Sequence, residues 1–190
     1  MYVIGINGSP HSDGNTAFLI DEVFSHLEKE GVKTERVDMQ PVLGDLSNPF
    51  CICCKGDCDG ACYKGTKLDT VFEKMKKADA IIFASPVYFG GPTAQIKCLF
   101  DKTRLMRKEK ALLGKVGAAI AVGASKYGGQ EPTVTTLHHL MLVEGMTLIG
   151  DSSSSLSGHF GVCAQRGARE DEYALTRCKI LAERIIEEVR

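Results

Sequence analysis

The sequence predicts an α/β protein built on a doubly wound, five-stranded parallel sheet, and three observations predict it. Apolar runs with strand character alternate with segments of helical period along the chain. Two of those runs, Ala80-Ile-Ile-Phe-Ala84 and Gly117-Ala-Ala-Ile-Ala-Val122, lack the every-second-residue alternation of a half-exposed strand, as strands covered by helices on both faces do. Polar turns follow the runs and open helices, which is how a parallel sheet returns its chain. At 190 residues the chain reads as one domain, 1–190, long enough to bury roughly 70% of the surface its unfolded form exposes.

The first strand covers 2–7, and a helix follows over 15–30. Between them runs Gly5-Ile-Asn-Gly-Ser-Pro-His-Ser-Asp-Gly-Asn-Thr16. A strand that feeds a glycine-containing turn into a helix makes an anion site, because the first N–H groups lack partners and the helix dipole favours negative charge. Ser9, Ser12, Asn15 and Thr16 add side-chain donors, and the turn contains no Lys or Arg, so a phosphate here is held by amides and hydroxyls. An ordinary polar turn that caps a helix has the same pattern. The lysine-bearing phosphate loop and the dinucleotide fingerprint G-x-G-x-x-G are both absent.

A second strand over 34–39 leads to a cysteine-rich loop at 47–66, a helix at 66–77 and the third strand at 80–85. Ser85-Pro-Val-Tyr-Phe-Gly-Gly-Pro-Thr93 then turns into a helix over 92–108, with Pro92 suited to its first position. Tyr88 and Phe89 suit the flanks of a planar ring, and equally an aromatic pair packed under a loop. The fourth strand, 117–123, is followed by Gly123-Ala-Ser-Lys-Tyr-Gly-Gly-Gln-Glu131 and a helix over 131–144. A fifth strand at 146–150 and a helix at 170–189 complete the chain. In such sheets ligands sit beyond the carboxyl ends of the strands, where strand order reverses. The loops after the first, third and fourth strands therefore face one site.

Eight cysteines are present, and five fall in Cys51-Ile-Cys-Cys-Lys-Gly-Asp-Cys-Asp-Gly-Ala-Cys62. Thiolates so close in sequence can wrap a compact multi-iron cluster, and the spacing favours [4Fe–4S] over zinc, which takes two knuckles set further apart. Zinc and a dithiol/disulfide pair are the alternatives. Cys98, Cys163 and Cys178 stand in apolar or helical surroundings and read as buried small hydrophobes. A net charge of −1 with scattered basic residues gives no nucleic-acid footprint and no membrane patch. No apolar run reaches a membrane-spanning length, and the N-terminus lacks a signal-peptide pattern, so a cytoplasmic location is expected. No arrangement for nucleophilic or acid–base catalysis is visible.

Gly8-Ser-Pro-His-Ser-Asp-Gly-Asn-Thr16, Ser85-Pro-Val-Tyr-Phe89, Gly128-Gly-Gln-Glu131 and Glu144-Gly-Met146 together resemble the flavodoxin-like, NAD(P)H-dependent FMN reductase family. With the cysteine cluster between the second and third strands, the chain is most similar to its iron–sulfur flavoprotein branch. The resemblance implies strand order 2-1-3-4-5 and FMN phosphate on Ser9, His11, Ser12, Asn15 and Thr16. It places the isoalloxazine along Pro86, Val87, Tyr88, Phe89 and Gly90, with Ser125, Tyr127, Gly128 and Gly129 on the other side. The family's usual cysteine spacing is not matched, since position 57 is Asp and Cys53 is supernumerary. The expected ligands are Cys51, Cys54, Cys58 and Cys62. The resemblance and the cysteine cluster together imply a protein that passes electrons from ferredoxin or NAD(P)H through FMN and a [4Fe–4S] cluster to a small acceptor, a quinone, dioxygen or peroxide. A homodimer or homotetramer is expected. A cluster-free NAD(P)H-dependent FMN or quinone reductase and a zinc-stapled binding module are the rival readings.

Overall fold

The computed structural model describes residues 1–54 and 56–189. Residue 55, inside the expected 47–66 loop, and residue 190, the last of the expected domain, lie outside the described residues. The chain runs β1 (Tyr2–Asn7), α1 (Asn15–Lys29), β2 (Lys33–Asp38), α2 (Met39–Leu43), α3 (Lys67–Lys77), β3 (Ala80–Pro86), α4 (Ala94–Asp101), α5 (Arg104–Lys108), β4 (Val116–Gly123), α6 (Gln130–Val143), β5 (Thr147–Leu148), β6 (Val162–Gln165), a 3-10 turn (Ala168–Glu170) and α7 (Glu172–Val189). The strands are parallel in the order β2-β1-β3-β4-β5, as expected, and β6 also pairs with β4.

The continuous apolar runs are the central strands. β4 is buried at every position, and β3 at all but Pro86. Their side chains divide between two apolar layers. Ile4, Ile81, Phe83 and Ala119 pack with residues of α2, α3, α4 and α6, including Phe72, Leu99 and Leu137. Val3, Ile82, Ala118 and Ile120 pack with α1 and α7 through Leu19, Val23, Cys178 and Leu181. Each strand buries both faces, so alternation in hydropathy disappears while alternation in direction persists.

Three elements differ from the sequence expectation. The fifth position beside β4 is filled in two pieces, β5 against Val116–Gly117 and β6 against 120–123. The intervening segment is pinned by Asp151, whose carboxylate accepts from Arg177 Nε at 2.5 Å and from the His159 amide at 2.6 Å, both Asp151 and Arg177 being buried. The expected helix over 92–108 breaks at Lys102–Thr103 into α4 and α5, where the Thr103 hydroxyl donates to the Phe100 carbonyl at 2.7 Å and competes with helical bonding. The short helix α2 follows β2 directly and adds Met39, Val42 and Leu43 to the core.

Candidate functional site

The turn after β1 is built around a buried asparagine. Asn7 accepts from the Ser9 amide at 3.0 Å, and its Nδ2 donates to the His11 carbonyl at 3.2 Å and to the Asp38 carboxylate at 2.7 Å. Ser9 is buried with its Oγ accepting from the His11 amide at 3.1 Å. Thr16 is buried, Asn15 half-buried, and His11 and Ser12 are exposed. Helix α1 starts at Gly14 without a side-chain cap, so its first-turn amides are left to another partner. Arg36 from β2 supplies a cation that the turn itself lacks, donating to the Ser12 carbonyl at 3.0 Å while paired with Asp21 and Asp38.

The loop after β3 is tied to this turn. The Thr93 hydroxyl donates to the Gly8 carbonyl at 2.7 Å, the Thr93 amide donates to Ser85 Oγ at 2.9 Å, and the Gly8 amide donates to the Ala84 carbonyl at 2.8 Å. The approach is close: a Cβ on Gly8 would stand 2.4 Å from Ile96 Cγ1. Pro86 and Val87 are half-buried, and the Val87 amide donates to the Val122 carbonyl at 2.8 Å, joining this loop to the end of β4. Tyr88 and Gly91 exchange amide bonds of 2.9 and 3.1 Å across a tight turn in which Phe89 and Gly90 have φ of 50° and 78°. A phenylalanine at positive φ is a genuine outlier, and it holds its ring in solvent beside the exposed Tyr88. A Cβ placed at Gly90 or Gly91 would meet no atom within 4 Å, so the loop is open at these two positions.

The loop after β4 lies alongside. A Cβ on Gly129 would stand 3.2 Å from Val87 Cγ1 and 3.3 Å from Gly90 Cα. Ser125 and Tyr127 are exposed, Gly128 and Gly129 half-buried. Buried Gln130 anchors this loop, donating to the Ser125 carbonyl at 2.6 Å and the Ala164 carbonyl at 3.2 Å. A groove of about 710 Å³ runs along the outer side of the loop, lined by Tyr127, Glu131, Cys163, Gln165 and Tyr173 among others. The structure thus brings the three expected loops together. Asn7, Thr93 and Gln130, which sequence reasoning missed, hold them, and the signal was a polar residue closing or following each apolar run.

The cysteine loop is more open. Cys53, Cys54 and Cys62 are exposed, Cys51 and Cys58 half-buried, and all are free thiols. Among the described residues no three His, Cys, Asp or Glu side chains converge as a metal-binding set. The donor chemistry nevertheless fits an iron–sulfur centre, since five thiols unused by any disulfide occupy twelve residues. The loop is anchored at Gly60, whose φ of 76° brings it onto Tyr63 and Leu105. Tyr63 is buried edge-on against Phe72, and burial, then the neighbouring Cys58, Asp69 and Cys62, push its hydroxyl up to about 12. Three cations reach the loop from the α4–α5 junction and from α5. Lys102 Nζ lies 3.6 Å from Cys62 Sγ, Arg104 Nη1 3.0 Å from Cys53 Sγ, and Lys108 Nζ 3.0 Å from the Asp57 carboxylate. Sequence reasoning missed these cations, which stand 40 to 51 residues from their partners. Cys98 and Cys178 are buried and Cys163 is half-buried; burial raises all three thiols, Cys163 to about 12.

Residues 1–160 match the family described as NADPH-dependent FMN reductase. The chain belongs to that family and is a flavin-dependent oxidoreductase. It is 38% identical to an iron–sulfur flavoprotein of Methanocaldococcus jannaschii, an alignment covering 100% of this chain and 98% of that one. It is also 38% identical to an iron–sulfur flavoprotein of Methanosarcina thermophila, over 90% and 86% of the two chains. These similarities put it in the iron–sulfur flavoprotein branch of the family. The crystal structure of a WrbA-like flavodoxin from Agrobacterium tumefaciens superposes with a TM-score of 0.69 at 18% identity, covering 100% and 97% of the chains, and shows the same flavodoxin-like fold. No helix among the described residues is long and apolar enough to cross a membrane.

Proposed function

We propose that the chain acts as one domain over 1–190 and moves electrons between FMN, held by the three strand-end loops, and a [4Fe–4S] cluster on the cysteine loop. Ser9, His11, Ser12, Asn15 and Thr16 surround the phosphate in this reading. Pro86, Val87, Tyr88, Phe89 and Gly90 lie along the ring, with Ser125, Tyr127, Gly128 and Gly129 opposite, and Cys51, Cys54, Cys58 and Cys62 hold the cluster. When bound, the flavin exchanges one or two electrons and the cluster one at a time. The protein's part is to orient both groups: the uncapped start of α1 receives the anion, and the exposed Tyr88 and Phe89 offer aromatic surface against which the ring packs. The electron donor is ferredoxin or NAD(P)H, and the acceptor is a small molecule such as a quinone, dioxygen or peroxide. The protein works in the cytoplasm as a homodimer or homotetramer, away from nucleic acid and membrane.

The observation that carries this reading is the joining of all three loops at one strand edge, through Thr93, Val87 and Gly129, on a chain that also keeps five thiols unpaired. Protein purified without air is expected to be brown, with flavin and about four iron and four sulfide per chain, the content of one [4Fe–4S] cluster. Zinc in place of iron would sink the cluster. A second reading, an NAD(P)H-dependent FMN or quinone reductase without a cluster, is favoured by the thiols' failure to converge among the described residues. Rapid hydride transfer from NAD(P)H in iron-free protein supports it. A colourless protein would support a zinc-stapled binding module instead.

A further inference from the structure

Lys102 is 2% exposed, and its ammonium has one hydrogen-bond partner among the described residues, Cys62 Sγ at 3.6 Å. Among those residues no carboxylate pairs with it, although the lysines nearby on α4 and α5 are paired: Lys97 with Asp101, and Lys108 with Asp57. Burying an ammonium without a counter-charge is expensive, and a neutral thiol is a weak acceptor that does not offset it. A metal-bound cysteine, in contrast, is a thiolate. The structure therefore buries a lysine amine against Cys62, in a position that suits an ammonium only where Cys62 carries negative charge.

From this we infer that Lys102 is the counter-cation of the cysteine-loop centre, a positioning residue that acts through Cys62 to hold negative charge on that loop and to raise the centre's reduction potential. The inference rests on the thiolate-held centre proposed above. Reduction adds one electron from a one-electron donor to an already anionic group, and a fixed positive charge at short range favours the reduced state more than the oxidised one. Because Lys102 is buried, its effect is little screened by salt. Arg104 touches Cys53 from an exposed position, so its influence is smaller and fades as salt rises. Helix α4 ends at Asp101, and the break at Lys102–Thr103 places Lys102 toward the loop while Thr103 Oγ1 lies 2.7 Å from a Glu144 carboxyl oxygen.

The test uses protein purified without air, with iron, sulfide and flavin counted before its potentials are titrated. Lys102→Met keeps the length of the side chain and removes its charge. Its iron-centre potential is expected to fall, with at least a tenfold shift toward the oxidised form at fixed applied potential, or about 59 mV for a one-electron couple. The shift persists at high salt, the flavin potential moves less, and Lys102→Arg restores most of the loss. The exposed Lys77→Gln leaves the potential unchanged. If Lys102→Met loses iron while Lys102→Arg keeps it, the charge requirement is supported. If both lose iron, or if Lys102→Met keeps iron at an unshifted potential, the inference is overturned while the cluster stands. A parent protein with no iron or sulfide removes the proposed centre itself, and the inference falls with it.

Discussion

The strand-end loops and the cysteine loop are held by different kinds of bond. In the first region, buried neutral groups do the work. Asn7, Thr93 and Gln130 each satisfy backbone atoms of a neighbouring segment, and glycines let the backbones approach closely. In the second, long-range contacts are made largely by charged side chains reaching from α4 and α5 to exposed thiols and Asp57. Buried, directional bonds fix a geometry before any ligand arrives, whereas exposed contacts such as those of Arg104 and Lys108 are weak and screened, Lys102 alone among the three cations being buried. On the proposed reading the two regions differ in preparation: the strand-end loops are already bonded to one another, whereas the described thiols have still to be brought together.

The largest expected effect separates the two outright. Cys54→Ala should abolish iron retention while leaving flavin content unchanged, measured as iron and flavin per chain; loss of both would show that the regions fold as one unit. Next, Gly8→Val drives a side chain into Ile96 and the Ala84 carbonyl. Overpacking at this joint should cost about 3 kcal/mol and release FMN, read by thermal unfolding and flavin fluorescence, with the iron retained. Asn7→Ala removes three hydrogen bonds from the same turn. It should weaken FMN binding and stability by about 2 kcal/mol through the buried groups left unpaired.

The smallest effect lies behind the cationic segment. Glu144 is buried, and burial raises its carboxyl above the usual range, against the Thr103 hydrogen bond and the Arg107 charge, which lower it. A raised carboxyl favours the neutral form in the folded state, so its contribution is intact below the unfolded value and lost as pH rises through the folded one. Glu144→Gln should therefore melt slightly above the parent at neutral pH, the gap vanishing near pH 4, where the unfolded carboxyl takes up its proton. Equal melting at both pH values would show that water reaches the carboxylate.

The same contrast explains what could be read from the sequence. The central strands were legible because burial on both faces leaves an unbroken apolar signature, and with strands expected at 80–85 and 117–123, each within a residue of its observed bounds, the loops that follow them fall at one edge. Strand β6 was not, because Val162-Cys-Ala-Gln165 is too short to carry a period. The break at Lys102–Thr103 was hidden because both residues fit a helical pattern, and only tertiary partners, Cys62 and Glu144, reveal it. Asn7 looked like the polar end of a strand. The number of bonds it makes depends on Asp38, which lies 31 positions away.

The division of the fifth strand position also bears on how the molecule behaves in a crowded solution. Beyond β4, the sheet ends in Thr147–Leu148 and Val162–Gln165, two fragments separated by a detour that Asp151 and Arg177 fasten down. An uninterrupted ladder of free amides and carbonyls would invite a stranger's strand to add on; two stubs with a knot of serines between them offer no such template. The protein's outer margin on that side is blunted against fibre growth by its own backbone path.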